Sequence, residues 1–148
     1  MNNLYEALNT FLADQTVLSM KIHNVHWYMV GEGFFPMHKE MDKLYDQAQE
    51  NIDLVAERLL VLGAKPLGSL KEMLARTSVE ELSDTHVNVV EGVQSLIADF
   101  DRLYNLALHI VKEAENVEDP GTADHFTAIS QDLGKTLWML KAYTHNAK

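Results

Sequence analysis

Cysteine is absent from this 148-residue chain, so neither disulfides nor thiolate metal sites are available to it. Any metal must be held by imidazole and carboxylate, which removes the Cys-rich structural zinc classes and leaves iron, manganese or zinc. Glycine and proline are scarce, at seven and three residues, so few breakers interrupt a helical pattern. No run of about 18 apolar residues occurs, so no membrane span is expected. The N-terminus, MNNLYEALNTFLAD, has neither a basic leading region nor a long apolar core and does not read as a signal peptide. A cytoplasmic location is the resulting expectation. Basic residues are the minority: 12 Lys and Arg against 22 Asp and Glu give a formal charge of −10. That balance disfavours nucleic acid as a partner and suits cations, although solubility alone accounts for many acidic proteins.

What is present is an apolar fraction of 47%, enough for one sizeable core, and one domain over residues 1–148 is expected. Four long helical patterns follow one another. The first spans about Asn3 to Val30, with Leu4, Leu8, Phe11, Leu18, Ile22, Val25 and Met29 on one stripe and Gln15 as its polar interruption. The second spans about Pro36 to Leu62, ended by Gly63 and Pro66. The third runs from about Thr85 to Asn116; the fourth starts after Asp119 as cap and Pro120 as first residue. Between the second and third, Ser69-Leu70-Lys71-Glu72 reads as a capping box, and Ser78-Val79-Glu80-Glu81 is another helix start. The expected fold is all-α: a ferritin-like four-helix bundle, with a short extra helix in the long crossover between helices two and three.

The chemistry-bearing residues cluster in the first sixty positions. His26-Trp27, His38-x-x-x-Asp42 and Asp53-x-x-x-Glu57 place two imidazoles and three carboxylates in a row, and these are metal-ligand side chains at helical spacing. With Met37 set at zero on a helical wheel of about 100° per residue, the apolar stripe of the second helix clusters within about 60° of zero. His38, Asp42, Asp53 and Glu57 fall between about 100° and 200°, away from the bundle core. A solvated acidic face would look similar. Against that reading, Asp42, Asp46, Glu50, Asp53 and Glu57 succeed one another at steps of three and four, and like charges so placed cost roughly 0.2–0.5 kcal/mol per pair. Tyr45, Ala56 and Leu60 share or border the sector, which suggests burial against a second subunit.

One helix cannot bring both halves to one ion, because Asp42 and Asp53 lie about 16 Å apart along its axis. A two-fold antiparallel pairing with a second copy can. Asp42 and Asp53 have their midpoint between Gln47 and Ala48, and so do His38 and Glu57. An axis there faces each residue with its counterpart on the other copy and creates two equivalent sites. His26 would complete each one. Glu-x-x-His, the signature of di-iron centres inside one bundle, occurs nowhere in the chain.

The run His26-Trp27-Tyr28, Gly31, Phe34-Phe35, His38, Asp42, Tyr45, Asp53, Ala56-Glu57-Arg58, Gly63 and Pro66 resembles the Dps family, the miniferritins. The resemblance implies a dodecameric shell built from two-fold dimers, with an iron-oxidising centre (Fe2+/Fe3+) at the dimer interface. His26, His38 and Asp42 of one chain would act with Asp53 and Glu57 of its mate, Glu57 being the principal carboxylate. Trp27 would lie beside the centre and intercept radicals, although interface packing is an equal expectation for it. Fe(II) would be oxidised mainly by hydrogen peroxide and stored as ferric oxyhydroxide, protecting against oxidative damage. The resemblance further implies an acidic three-fold pore near the start of the last helix. Glu115, Glu118, Asp119 and Asp124 are the acids available there, and Asp124 is the better candidate because Asp119 doubles as the helix cap. Pro120 and Gly121 depart from the family's acidic lining.

The remaining histidines weigh less. His23, one turn before His26, is expected to support the site or the packing; His86, His109, His125 and His145 lack ligand spacing. The first basic residue is Lys21 and the C-terminal tail offers Lys141 and Lys148, too few charges for tight phosphate neutralisation, so direct DNA binding is expected to be weak or absent. A non-enzymatic DNA-coating nucleoid protein and a purely structural helical oligomer are the competing classes.

Overall fold

The computed structural model describes residues 2–145. Its elements in chain order are α1 (Asn2–Tyr28), β1 (Met29–Val30), α2 (Phe34–Val61), α3 (Leu70–Arg76), β2 (Val87–Asn88), α4 (Val89–Asn116) and α5 (Pro120–Tyr143). The four long helices form the bundle expected from the periodicity, and α3 lies in the crossover. Leu4, Leu8, Phe11, Leu18, Ile22 and Val25 of α1 are all buried, as are Phe126, Ile129, Leu133, Leu137 and Leu140 of α5. The polar interruption at Gln15 is also buried and accepts a hydrogen bond from Asn51 Nδ2 at 2.9 Å. A buried amide without such a partner would cost about 1–3 kcal/mol, so this bond lets α1 carry a polar residue through the core.

α1 and α2 run antiparallel. Tyr5 reaches the carbonyl of Leu62, Gln15 meets Asn51, and His26 meets His38. The link is tight because Gly31 and Gly33 take φ values of 103° and 86°, a region other residues avoid. α2 therefore begins at Phe34, two residues before the expected Pro36. Pro36 still falls in the first turn, where its missing N–H leaves no helix bond unmade. At the far end, Ala64 N–H donates to the Leu59 carbonyl and Gly63 N–H to that of Leu60, a left-handed glycine stop.

The crossover follows α1 back along its length. Asn9 accepts from Leu67 N–H, Asp14 accepts from Thr77 Oγ1 and Ser78 N–H, and Asn24 donates to the Ser83 carbonyl. The capping serine works as expected: Ser69 Oγ accepts from Glu72 N–H and donates to Glu72 Oε1. The second expected start, at Ser78, is not a helix. Its backbone N–H is committed to Asp14, and no helix forms over residues 78–81. The third long helix starts at Val89, four residues later than expected, because Val87–Asn88 pair in parallel with Met29–Val30 as two-residue strands. That ladder ties the end of α1 to the start of α4, and a buried Lys21–Asp99 ion pair at 2.7 Å joins the same two helices further along. Among the described residues no helix is long and apolar enough to cross a membrane.

Candidate metal centre

The α1–α2 turn brings His26 and His38 face to face. Their rings stack with centroids 3.7 Å apart and planes 9° from parallel. His26 Nδ1–H donates to the backbone carbonyl of His38 at 2.6 Å, and His38 Nδ1–H donates to that of His26 at 2.8 Å. A carbonyl can only accept, so each Nδ1 must carry a proton, and the neutral form of such a ring has its lone pair on Nε2. Such a bond sets the tautomer and orientation of a metal-binding histidine. Phe34 stacks on the other side of the pair, 4.8 Å from His38. Burial lowers the pKa of His26 from its ordinary value of 6.5, and the bond to the His38 carbonyl opposes that shift without cancelling it. The ring is therefore kept neutral, the form that offers Nε2 to a cation.

Asp42 lies one turn beyond His38, on an exposed position. Its Oδ1 is 3.4 Å from His23 Nε2. His23 is wedged among aromatic rings: Tyr45 stacks on it at 3.4 Å, and Trp27 and His26 lie 5.0 and 5.3 Å away. Trp27 is itself 58% exposed.

Asp53 and Glu57 occupy the other half of α2. They share an open groove of about 410 Å³ with Glu50, Arg58 and His125. Asp46, Glu50, Asp53 and Glu57 are all exposed, and none forms an ion pair among the described residues. Phe35, Leu60 and Val61 on the same helix are 84, 62 and 73% exposed, so the acidic face also carries apolar side chains that water disfavours. Within one chain the two halves stay apart. Among the described residues, no group of three or more His, Asp or Glu side chains converges closely enough to hold a metal ion.

The start of α5 adds a clamp. Asp119 accepts the Thr122 N–H as helix cap at 3.1 Å, and it accepts Arg58 Nη2 at 2.8 Å. Arg58 Nε also donates to Thr122 Oγ1 at 2.8 Å. Burial pushes the Asp119 carboxyl upward, but the Thr122 and Arg58 hydrogen bonds outweigh it and hold the pKa below the ordinary 3.8. Gly121 lies against this clamp, and a Cβ there would meet Arg58 Nη2 at 2.6 Å, so the guanidinium would have to move. Asp119 is thus occupied within its own chain, while Asp124 is exposed. Of the tail lysines, Lys141 is exposed and Lys148 lies outside the described residues. Periodicity did not single out Tyr45 as a partner of His23, Arg58 as a clamp, or His125 as a neighbour of Asp53 and Glu57. Arg58 carried one signal: it is the sole basic residue between Lys43 and Lys65.

The ferritin-like domain model matches residues 5–148. General stress protein 20U of Bacillus subtilis (strain 168) is 39% identical over 140 residues, covering 95% of this chain and 96% of that one. DNA protection during starvation protein 2 of Bacillus anthracis is 35% identical over 139 residues, covering 93% and 94%. The crystal structure of Dps from Staphylococcus aureus matches with a TM-score of 0.92 at 31% identity, over 97% of this chain and 96% of that one.

Proposed function

The chain belongs to the Dps family of ferritin-like proteins, and from that premise we propose a peroxide-using ferroxidase whose centre is shared between two copies of the chain. As a miniferritin it is an iron-storage protein of the stress-response class. In the proposed assembly, two-fold dimers build a dodecamer, and ferric oxyhydroxide collects in its hollow interior, in the cytoplasm.

The observation that carries the reading is the reciprocal His26–His38 bonding, which commits both Nδ1 atoms to the backbone and leaves both Nε2 atoms uncommitted, one helical turn from Asp42. Asp53 and Glu57 of a two-fold mate would supply the anionic half. Imidazole nitrogen and carboxylate oxygen suit ferrous iron, and the carboxylates gain more as the charge rises to ferric. Two Fe(II) ions deliver two electrons to one hydrogen peroxide. With two protons this yields two Fe(III) and two water molecules, so no hydroxyl radical is released. The protein's part is to hold the substrate ion in an open ligand set that admits peroxide and releases the ferric product. Trp27, whose ring lies 5.0 Å from that of His23, would absorb a stray oxidising equivalent. Asp124 is the proposed pore acid.

Apoprotein given Fe(II) and hydrogen peroxide should develop the absorbance of a ferric mineral inside a large particle. The Asp53→Ala, Glu57→Ala double variant should lose the fast initial oxidation while still assembling. Unchanged initial oxidation would show that the carboxylate half is misassigned. In a gel shift at moderate salt the protein should leave DNA unretarded, whereas retained binding would favour a DNA-coating role.

A further inference from the structure

We propose that His23 is a positioning residue for Asp42, an inference that rests on reading His26, His38 and Asp42 as ligands of the substrate iron. Asp42 is exposed, and its side chain is 58% accessible. A carboxylate so placed samples several rotamers unless something selects one. Among the described residues the polar partner of that carboxylate is His23, whose Nε2 lies 3.4 Å from Oδ1. The contact is at the long end of the hydrogen-bond range, yet its geometry is enforced from behind. The Tyr45 ring lies 3.4 Å from His23 and within 6° of parallel, Trp27 closes a second side at 5.0 Å, and His26 a third at 5.3 Å. The His23 side chain is 18% accessible. The imidazole therefore has no room to swing, and its Nε2–H donates from a fixed point. Engaging Oδ1 leaves Oδ2 as the free oxygen and turns it in a fixed direction. Ligating carboxylates are commonly held this way, and losing such a partner typically costs 10–100-fold in metal affinity.

The arrangement also explains why Tyr45 borders the acidic sector of α2. It supplies the plane against which His23 is held, so the row Tyr45–His23–Trp27 acts as one support placed by two helices. The chemistry needs a flat ring for the stack and an N–H for the bond, and these can be separated by substitution. His23→Phe keeps the ring and removes the donor. His23→Gln keeps a donor and removes the ring.

The test is titration of the assembled apoprotein with Co(II), read by visible absorption and calorimetry. His23→Phe should bind Co(II) about ten-fold more weakly, and His23→Gln should recover to within about three-fold of the parent. In an Asp42→Asn background, His23→Phe should have no further effect, because the bond it removes no longer orients a ligand. Parental affinity in His23→Phe, or an equal loss in the Asp42→Asn background, would overturn the positioning role alone. Parental affinity after combined His26→Ala and His38→Ala would overturn the ligand reading beneath it. Those two failures are told apart by which variant stays unchanged.

Discussion

Replacing Asp99 by alanine strips the partner from a lysine with almost no access to water. Lys21 and Asp99 are 8% and 5% exposed, and their charged atoms lie 2.7 Å apart. Arg102 reaches the other carboxylate oxygen at 3.4 Å but from a more exposed position, so it stays solvated without Asp99. Removing one member of a buried pair leaves a charge that neither water nor protein satisfies, at a cost of about 3–5 kcal/mol. Set against a typical total of roughly 5–15 kcal/mol, that is a large share of the stability of the fold. The pair joins α1 to α4 a few residues from His23 and His26, so the loss acts on the helix that carries the candidate ligands. Removing both charges should cost far less, because burying a matched pair only roughly breaks even against apolar side chains of similar volume. Urea unfolding of the parent, Asp99→Ala, Lys21→Met and the Lys21→Met, Asp99→Leu double variant, all at one protein concentration, closes the cycle. Each single variant should be less stable than the double. A loss below about 1 kcal/mol in Asp99→Ala, or a double variant as damaged as the sum of the singles, would show that the Lys21–Asp99 pair does not hold the two helices together.

The clamp at the start of α5 gives two further predictions. Gly121→Ala should destabilise in thermal unfolding, because its Cβ would displace the Arg58 guanidinium from Asp119 and Thr122, bonds to a charged group worth about 1.5–3 kcal/mol; helix propensity alone predicts a gain of about 0.5–1 kcal/mol, so the sign decides. Asp119 has a folded pKa below its ordinary 3.8, so its ionised form adds stability that is fully present above about that value and is lost as pH falls through the folded pKa. Asp119→Asn should therefore unfold more easily than the parent at neutral pH, and the gap should close in strong acid. A gap that widened on acidification would contradict the assignment.

Periodicity carried the long helices because a stripe repeats and a bundle core needs little else. The caps at Ser69 and Asp119 were legible from residue type, because both are local devices, complete within four residues. What it missed depends on register between helices. Ser78 looks like a helix start until Asp14, 64 residues earlier, takes its N–H. Val87 looks like the first turn of a helix until it pairs with Met29. The ligand candidates were visible as residue types at a spacing, and the two-fold arithmetic followed from that spacing alone. The crossed bonds between His26 and His38 were not visible, nor was the Tyr45–His23 stack, nor the approach of His125 to Asp53 and Glu57. Each depends on how far one helix slides along another, which hydrophobic stripes constrain only to within about a turn.

In the proposed assembly no single chain owns a complete centre, and mixing two defective chains tests that. His38→Ala damages one half of the proposed site, and Glu57→Ala damages the other. In a mixed two-fold dimer, one site would receive both defects and the other neither. Chains dissociated and reassembled together at random should thus regain about a quarter of the parental fast Fe(II) oxidation, although each variant alone has almost none. Recovery to that level is the predicted result. A mixture no more active than its separate components would contradict a centre shared between subunits.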